Sequence, residues 1–354
     1  MTYPSCQDDP VRAPGPRPWR LLVPAAVLLA LTACSAAPGP PAPPRGGAAA
    51  AAADPAAAAP EAPFWVDPAG PAARQVAAWE DQGRTGDAQV LRRISERPTA
   101  LWAPAGDPGP EVRRAVRGAA AAKRTVVLTV HQLPHRDCGA RPRTGGAADA
   151  AAYRRWLDAF ADAVGDARAL VVLEPGAVPQ LLSDGCLTPG RREERVRLLS
   201  AAVDRLGRNR NTKVYLDAGD PAPGRDVKEL AAALERAGLA RADGFALNVR
   251  GFRTDTEARE FGTRLSKATG GRHYVVDTGR NGAGPLPGDP ARTSCNPPGR
   301  ALGTPPTDRT GDPLADAYLW IAHPGDSDGP CHGGPPTGTF WPSYALGLAR
   351  RTPH

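Results

Sequence analysis

The sequence has little lysine, no metal-type cysteine spacing and no long apolar run. Its 354 residues hold four lysines (Lys123, Lys213, Lys228 and Lys267), so nearly all of the 44 positive charges are arginine. These arginines alternate with acids, and no block of five like charges occurs. That pattern reads as a solvated Arg/Asp/Glu surface rather than a nucleic-acid patch. None of the six cysteines has C-x-x-C spacing, which argues against a zinc framework. The apolar run Leu21–Leu31 has about 11 residues, too few to span a bilayer as a helix. What is abundant is glycine and proline, 39 and 41 residues, unevenly spread. With 41% hydrophobic residues the chain can still build a core, of one large domain or two ordinary ones. A collagen-like rod, wholesale disorder and a polytopic membrane protein do not fit.

The first 63 residues are not expected to belong to the fold. Arg17 and Arg20 precede the Leu21–Leu31 run, as in the hydrophobic region of an export signal. The run ends Leu31-Thr32-Ala33-Cys34, which resembles a bacterial lipoprotein signal with Cys34 as the lipidated new N-terminus; an ordinary cleaved signal is the alternative. Residues 35–63 are almost pure Ala, Pro and Gly and read as a tether. The expected organisation is therefore a signal at 1–33, a tether at 34–63 and a folded domain at 64–354. It is exported and held at the outer face of the cell membrane through Cys34 alone, or else secreted. Export implies an oxidising compartment. Besides Cys6 in the signal and Cys34, four cysteines remain: Cys138, Cys186, Cys295 and Cys331. They allow three pairings, and two disulfides are expected.

From Phe64 onward, short β-rich runs alternate with amphipathic segments. Seven strands are predicted: Thr99–Trp102, Thr125–His131, Ala169–Glu174, Lys213–Asp217, Gly244–Asn248, His273–Asp277 and Ala317–Ile321. They are continuous apolar stretches, as strands buried on both faces should be. Between them, helical patterns run over Asp149–Val164, Arg191–Leu206 and Arg225–Gly238, the last with Gly238 as a C-cap. Repeated βα units imply parallel strands with right-handed crossovers. The predicted fold is α/β, a distorted parallel β/α barrel with its groove at the strand C-termini; an open doubly wound sheet is the alternative. No Gly-x-Gly-x-x-Gly follows the first strand, which counts against a dinucleotide fold.

Polar residues gather where a barrel keeps its chemistry. Glu174, Asp217, Asn248 and Asp277 fall at strand C-termini, and Asp137 and Asp328 lie just beyond two others. Several carboxylates with few histidines suit acid/base work on an uncharged polar substrate such as a sugar. Some of these acids are instead expected to pair with Arg136, Arg253 or Arg280 and only brace loops.

The chain resembles glycoside hydrolase family 6, the inverting β-1,4-glucanases and cellobiohydrolases. The resemblance rests on Leu133-Pro134-His135-Arg136-Asp137-Cys138, Val172-Leu173-Glu174-Pro175, Tyr215-Leu216-Asp217-Ala218-Gly219 and Gly244-Phe245-Ala246-Leu247-Asn248-Val249. It continues through Asp277-Thr278-Gly279-Arg280-Asn281-Gly282, Cys295-Asn296-Pro297-Pro298-Gly299-Arg300 and Asp316-Ala317-Tyr318-Leu319-Trp320-Ile321, followed by Asp328-Gly329. It covers residues 63–350. It implies a distorted barrel, disulfides Cys138–Cys186 and Cys295–Cys331, a polysaccharide or oligosaccharide partner, no cofactor or metal, no nucleic acid and a monomer. Inversion needs a carboxylic acid on the glycosidic oxygen and a base on the opposite face, spaced to admit water. The resemblance implies Asp328 as the base, Asp137 as the residue that raises the acid's pKa and helps handle its proton, and Asp217 as a further acid beside the site.

The proton donor implied by the resemblance follows Glu174-Pro175, and that position is Gly176. Other substrate-facing positions also differ. His131 stands for a Tyr, Asp220 for a His, Pro223 for a Trp, Ser294 for a sugar-stacking Trp, Ala322 for a Lys and Asp326 for a Glu. Thr144 stands for a Ser in the loop after Cys138. Trp102 remains as an aromatic platform, with a core Trp as the alternative. The implied substrate-binding residues are Trp102, Thr144, Asn248, Asp326, His131 and Asp220. Glu174 is the candidate replacement acid, and Asp137 could also deliver the proton. His131 and Asp220 are new titratable groups.

Two other motifs are weak. Gly325-Asp326-Ser327-Asp328-Gly329 matches a nucleophile elbow, but the Gly/Pro-rich segment after it cannot be the required helix. His131-x-x-x-His135 would suit a metal only on a helix, and Pro134 interrupts it. Two function classes follow: a glycosidase on β-1,4-glucan, with activity impaired at Gly176, or a non-catalytic surface barrel that binds a glycan.

Overall fold

The computed structural model describes residues 63–136, 146–222, 224–288 and 293–352. Asp137, Cys138, Thr144, Pro223 and the signal and tether with Cys34 lie outside the described residues.

Seven strands form one sheet in chain order: β1 (Leu101–Trp102), β2 (Val126–Val130), β3 (Ala169–Leu173), β4 (Thr212–Asp217), β5 (Gly244–Leu247), β6 (His273–Asp277) and β7 (Ala315–Leu319). Every neighbouring pair is parallel. The sheet curls until its edges meet. Ala100 N donates to Trp320 O at 3.0 Å, and the Trp102 indole N–H donates to Ile321 O at 2.7 Å. The last strand begins and ends two residues earlier than the Ala317–Ile321 expected. Trp320 and Ile321 are drawn off the β6–β7 ladder to bond the Ala100–Trp102 edge.

Alternation along the strands sorts two apolar layers. Val127, Leu170, Val172, Tyr215, Ala246, Val275, Ala317 and Leu319 fill the inside of the curl. Their sequence neighbours, such as Leu128, Val171, Leu216 and Val276, meet the surrounding helices. These helices are α1 (Pro71–Asp81), α2 (Thr85–Ser95), α3 (Gly109–Ala121), α4 (Ala150–Val164), α5 (Pro189–Leu206), α6 (Val227–Arg236), α7 (Asp255–Ala268) and α8 (Pro342–Arg351). Local chemistry fixes their ends. Asp149 caps α4 by accepting from Ala152 N, Asp226 caps α6, and Thr254 with Glu257 forms a capping box on α7. Each such cap contributes about 1 kcal/mol. Beyond α6 the chain turns at Gly238, φ +105°, a conformation that glycine adopts without penalty. Helices α1, α2 and α8 share a separate apolar cluster with Trp320.

Cys295 and Cys331 form a disulfide across 36 residues. Cys186 is also disulfide-bonded, and its expected partner Cys138 lies outside the described residues.

Candidate active site

The C-terminal strand ends open into a groove of about 1120 Å³. Trp102, His131, Arg136, Arg250, Arg280, His323, Asp326 and Asp328 are on its wall, with Trp65 and Asp67 farther along. The wall is drawn mainly from the strand ends and loops of β1, β2 and β7 and from the Arg250 and Arg280 segments.

Asp328 is the most elaborately held carboxylate on this wall. Its Oδ1 accepts from Arg250 at 3.1 Å, and its Oδ2 accepts from Arg280 at 2.9 Å and from Asn296 N at 3.0 Å. Burial pushes its pKa up, but the two guanidiniums and the Asn296 amide outweigh that and hold it below the usual carboxylate range. An ionised carboxylate at the groove surface can take a proton from water. Asn296 returns the contact: its Oδ1 accepts from Asp328 N at 2.7 Å, and its Nδ2 donates to Gly329 O at 2.7 Å. Because Cys295 is bonded to Cys331, the disulfide clamps the two loops that make this pairing.

The other strand-end groups are arranged differently. Asp277 accepts from four backbone amides, those of Arg250, Gly279, Ile321 and Ala322, and knots three strand ends together. Asn248 is fully buried and braces its own loop, donating to Arg253 O and Asp277 O and accepting from Arg253 N. It is not on the groove wall, and the substrate contact expected of it gives way to this bracing.

Glu174 is likewise turned away. Its φ of +56° takes it out of the β3 alternation. Its carboxylate accepts from Gln132 N and Leu133 N and faces Tyr153 of α4. Burial raises its pKa to about 7 against those amides, but it is sealed in the fold and does not reach the groove. The replacement-acid role is therefore not what this geometry offers. Gly176 has φ +81°, and its N–H donates to Asp217 Oδ2 at 2.7 Å. Asp217 is only 1% exposed and lies beneath that turn instead of on the wall with Asp328. Asp220 is exposed at the β4 end, outside the groove wall.

Two histidines reach the wall with opposite character. His131 stands edge-on to Trp102, 5.5 Å between ring centroids. Burial, then the charges of Arg136, Arg250 and Arg195, push its pKa down to about 3. Burial first, and then the three nearby arginines, disfavour the imidazolium, so this environment does not suit a histidine that titrates near neutrality. His323 has Nε2 on Ala100 O and Nδ1 3.0 Å from Asp326 Oδ2. Burial lowers its pKa, but the Asp326 carboxylate and the Ala100 carbonyl more than offset this and raise it above the ordinary value. His323, paired with Asp326, thus stands one residue beyond Ala322, the position at which the resemblance implies a lysine.

Of the expected site residues, Trp102, His131, Asp326 and Asp328 come together on one wall. Trp102 is half-buried, with its ring on the groove. Arg280 does pair with an acid, as anticipated for some of the arginines, whereas Arg253 pairs with Glu257 at 3.1 Å. Sequence reasoning missed Arg250, Asn296 and His323 as site residues. The signal for Asn296 was its place beside Cys295; that for His323 was its place beside Ala322. Ser327 is 1% exposed, and its hydroxyl donates to Pro335 O at 2.7 Å, so it is not a presented nucleophile.

Comparison with known proteins gives a consistent picture. The model of the glycosyl hydrolases family 6 matches residues 59–352. The chain is similar to endoglucanase A of Thermobispora bispora, with 39% identity over 297 residues, covering 82% of this chain and 62% of that protein. It is similar to endoglucanase A of Cellulomonas fimi, with 36% identity over 295 residues and the same coverages, 82% and 62%. The chain therefore spans about three fifths of the length of these two relatives, 62% in each case. Among solved structures it is similar to the endoglucanase Cel6 from Mycobacterium tuberculosis in complex with methyl-cellobiosyl-4-deoxy-4-thio-β-D-cellobioside. That match has 42% identity and a TM-score of 0.75, covering 82% of this chain and 97% of that one.

Proposed function

This chain belongs to glycosyl hydrolase family 6, and from that premise we propose that it is an inverting glycosidase acting on β-1,4-glucan chains outside the cytoplasm. The observation that carries the proposal is the held carboxylate of Asp328. It is ionised, exposed to the groove, and fixed by Arg250, Arg280 and the Asn296 amide. Asp328 is the base in this reading: it takes a proton from water as that water attacks the anomeric carbon. Trp102 offers the sugar an apolar face in the same groove. Asp137 retains its place in the reading as a carboxylate that handles the acid-side proton. The Cys295–Cys331 disulfide fits an oxidising compartment. Anchoring through Cys34 completes the proposal, placing the domain at the outer face of the membrane.

The acid side favours a slow enzyme. A positioned general acid contributes about 10²–10⁴ in rate, and residue 176 has no side chain. A second reading is a glycan-binding barrel without turnover, and the Gly176 main chain bonded to Asp217 favours it. β-Cellobiosyl fluoride separates the two, because its leaving group needs little protonation. Turnover of the fluoride, with calorimetric binding of cello-oligosaccharides, supports the glycosidase. Binding with no turnover of either substrate supports the binding barrel. Neither binding nor turnover overturns both.

A further inference from the structure

We propose that the end of the barrel opposite the groove is a surface for anionic phospholipid headgroups, which seats the domain on the membrane with its groove facing away. The inference rests on the anchoring through Cys34 proposed above. It starts from where the cations without partners are. The segments that lead into the strands lie at the N-terminal ends of a parallel sheet. Lys123, Arg168, Arg208, Arg210, Lys213 and Lys267 stand on these segments or beside them, all exposed. None has an ion-pair partner among the described residues.

Strand register gathers them. Val126 N donates to Arg168 O at 3.0 Å, Ala169 N donates to Asn211 O at 3.1 Å, and Lys213 is level with Leu170. Neighbouring strands are about 4.8 Å apart, so Arg168, Arg210 and Lys213 share one rim although they come from two segments. The charge is collected from separate places, which is why no basic block marks it in the sequence. The acids of this rim are engaged elsewhere. Asp243 accepts from Val214 N, Asp312 from Tyr274 and Leu314 N, and Asp316 from Tyr215 while it meets His273. On the helix flanks, by contrast, arginines are paired, as Arg205 is with Asp158 and Arg236 with Glu193. Helix dipoles explain only part of the rim. They favour a cation within the last turn, which accounts for Lys267 in α7. Arg168, Arg210 and Lys213 lie past the helix ends.

The place where the preceding chain arrives selects the partner. Thr125 N donates to Pro63 O at 3.0 Å, and Trp65 N donates to Thr125 O at 2.9 Å. The segment that follows Cys34 therefore joins the domain at this rim, close to Lys123. One lipid signal binds a membrane marginally, and a basic patch supplies the second that makes attachment stable. Each Lys or Arg near an anionic leaflet strengthens partitioning by about fivefold. Because the groove opens at the C-terminal strand ends, this seating turns it outward, toward a polysaccharide outside the cell.

The test uses the processed chain from residue 34 with Cys34→Ser, so that no lipid contributes, and the same chain with Arg168→Gln, Arg208→Gln, Arg210→Gln and Lys213→Gln. Sedimentation measures partitioning onto vesicles of phosphatidylcholine, alone or mixed with phosphatidylglycerol. We expect binding to the mixed vesicles only, weakened by salt and lower by about 10² in the variant. The urea midpoint of the variant should be unchanged, which controls for folding, and the salt dependence reads the same charges without any substitution. Equal binding to both vesicle types, binding to neither, or binding that the four substitutions leave unchanged overturns the proposal. So does binding to inorganic polyphosphate with none to vesicles, which would make the rim a site for a phosphate polymer. Mass spectrometry of Cys34 in the exported wild type tests the anchor separately. A lipidated Cys34 without vesicle binding by the rim overturns this inference alone. An unmodified Cys34 overturns the anchor, and vesicle binding by the rim then still supports the surface.

Discussion

Asn296 and Asp328 hold each other by two hydrogen bonds: the Asn296 amide donates to Asp328 Oδ2 at 3.0 Å, and the Asp328 amide donates to Asn296 Oδ1 at 2.7 Å. The pair joins two loops that are 32 residues apart in sequence and clamped by the Cys295–Cys331 disulfide.

Replacing the Asn296 side chain should therefore release the base. Asn296→Ala leaves Asp328 N without its partner and takes one donor from Gly329 O, which keeps the Ser327 hydroxyl at 3.0 Å. Unsatisfied buried groups of this kind cost about 1–3 kcal/mol each. We expect a urea midpoint shift of that order, and a fall in fluoride turnover larger than the change in oligosaccharide affinity. Unchanged turnover in a stably folded variant would separate the pair from the chemistry.

Arg280 sets the charge state of the same carboxylate. Its side chain is 2% exposed, and it bonds Asp328 Oδ2 at 2.9 Å. In Arg280→Met only Arg250 remains as a cationic partner, and the Asp328 pKa should rise toward the ordinary value. The acidic limb of fluoride turnover should then move to higher pH. Asp328 has a lowered folded pKa. Its stabilising contribution is present above the unfolded value of about 3.9 and is lost as pH falls through the folded value. The stability gap between wild type and variant, about 3 kcal/mol near neutrality for a broken buried pair, should narrow in acid. Urea unfolding at pH 7 and pH 3 measures it.

His323 should give the opposite slope. Its folded pKa lies above the ordinary 6.5, owing to Asp326 and the Ala100 carbonyl, with a smaller contribution from Asp277. The stability it adds is complete below the unfolded pKa and is lost as pH rises through the folded one. Wild-type stability should fall as pH rises past about 6.5, and His323→Gln should flatten that segment of the curve. A titration of the imidazole by NMR gives the pKa directly; a value at or below 6.5 counts against the pairing.

Much of the fold was legible because its signals are local. Continuous apolar runs such as Val126–Val130 and Ala169–Leu173 are buried on both faces, and the helical patterns over Asp149–Val164 and Arg191–Leu206 correspond to α4 and most of α5. Asp328, Asp326, His131 and Trp102 were also reachable, because barrels gather polar residues at strand ends. The orientation of a strand-end side chain was not. Glu174 looks inward by alternation until a left-handed φ turns it outward. Asn248 looks like a binding residue until its partners are seen to be its own loop. Arg250 is joined to Asp328 across 78 residues, a pairing that no local pattern encodes. His131 kept the appearance of a neutral-pH switch because its burial, and the charges of Arg195 and Arg250 near it, come from distant parts of the chain.

Gly176→Asp places a carboxyl where the resemblance implies one, and the geometry predicts a gain with a cost. The residue sits at φ +81°, in the left-handed region. A side chain there costs about 1–2 kcal/mol, at the lower end for Asp, whose short polar group tolerates it. The new Cβ would meet only Gln180 Nε2 closely, so the turn can accept it. The backbone N–H of residue 176 remains available to Asp217. We expect melting to shift down by an amount equivalent to about 1–2 kcal/mol and cellotetraose turnover to rise. β-Cellobiosyl fluoride, which needs little protonation, should gain far less than cellotetraose. Unchanged cellotetraose turnover in a stably folded Gly176→Asp variant would mean that this turn does not present its side chain to the glycosidic oxygen.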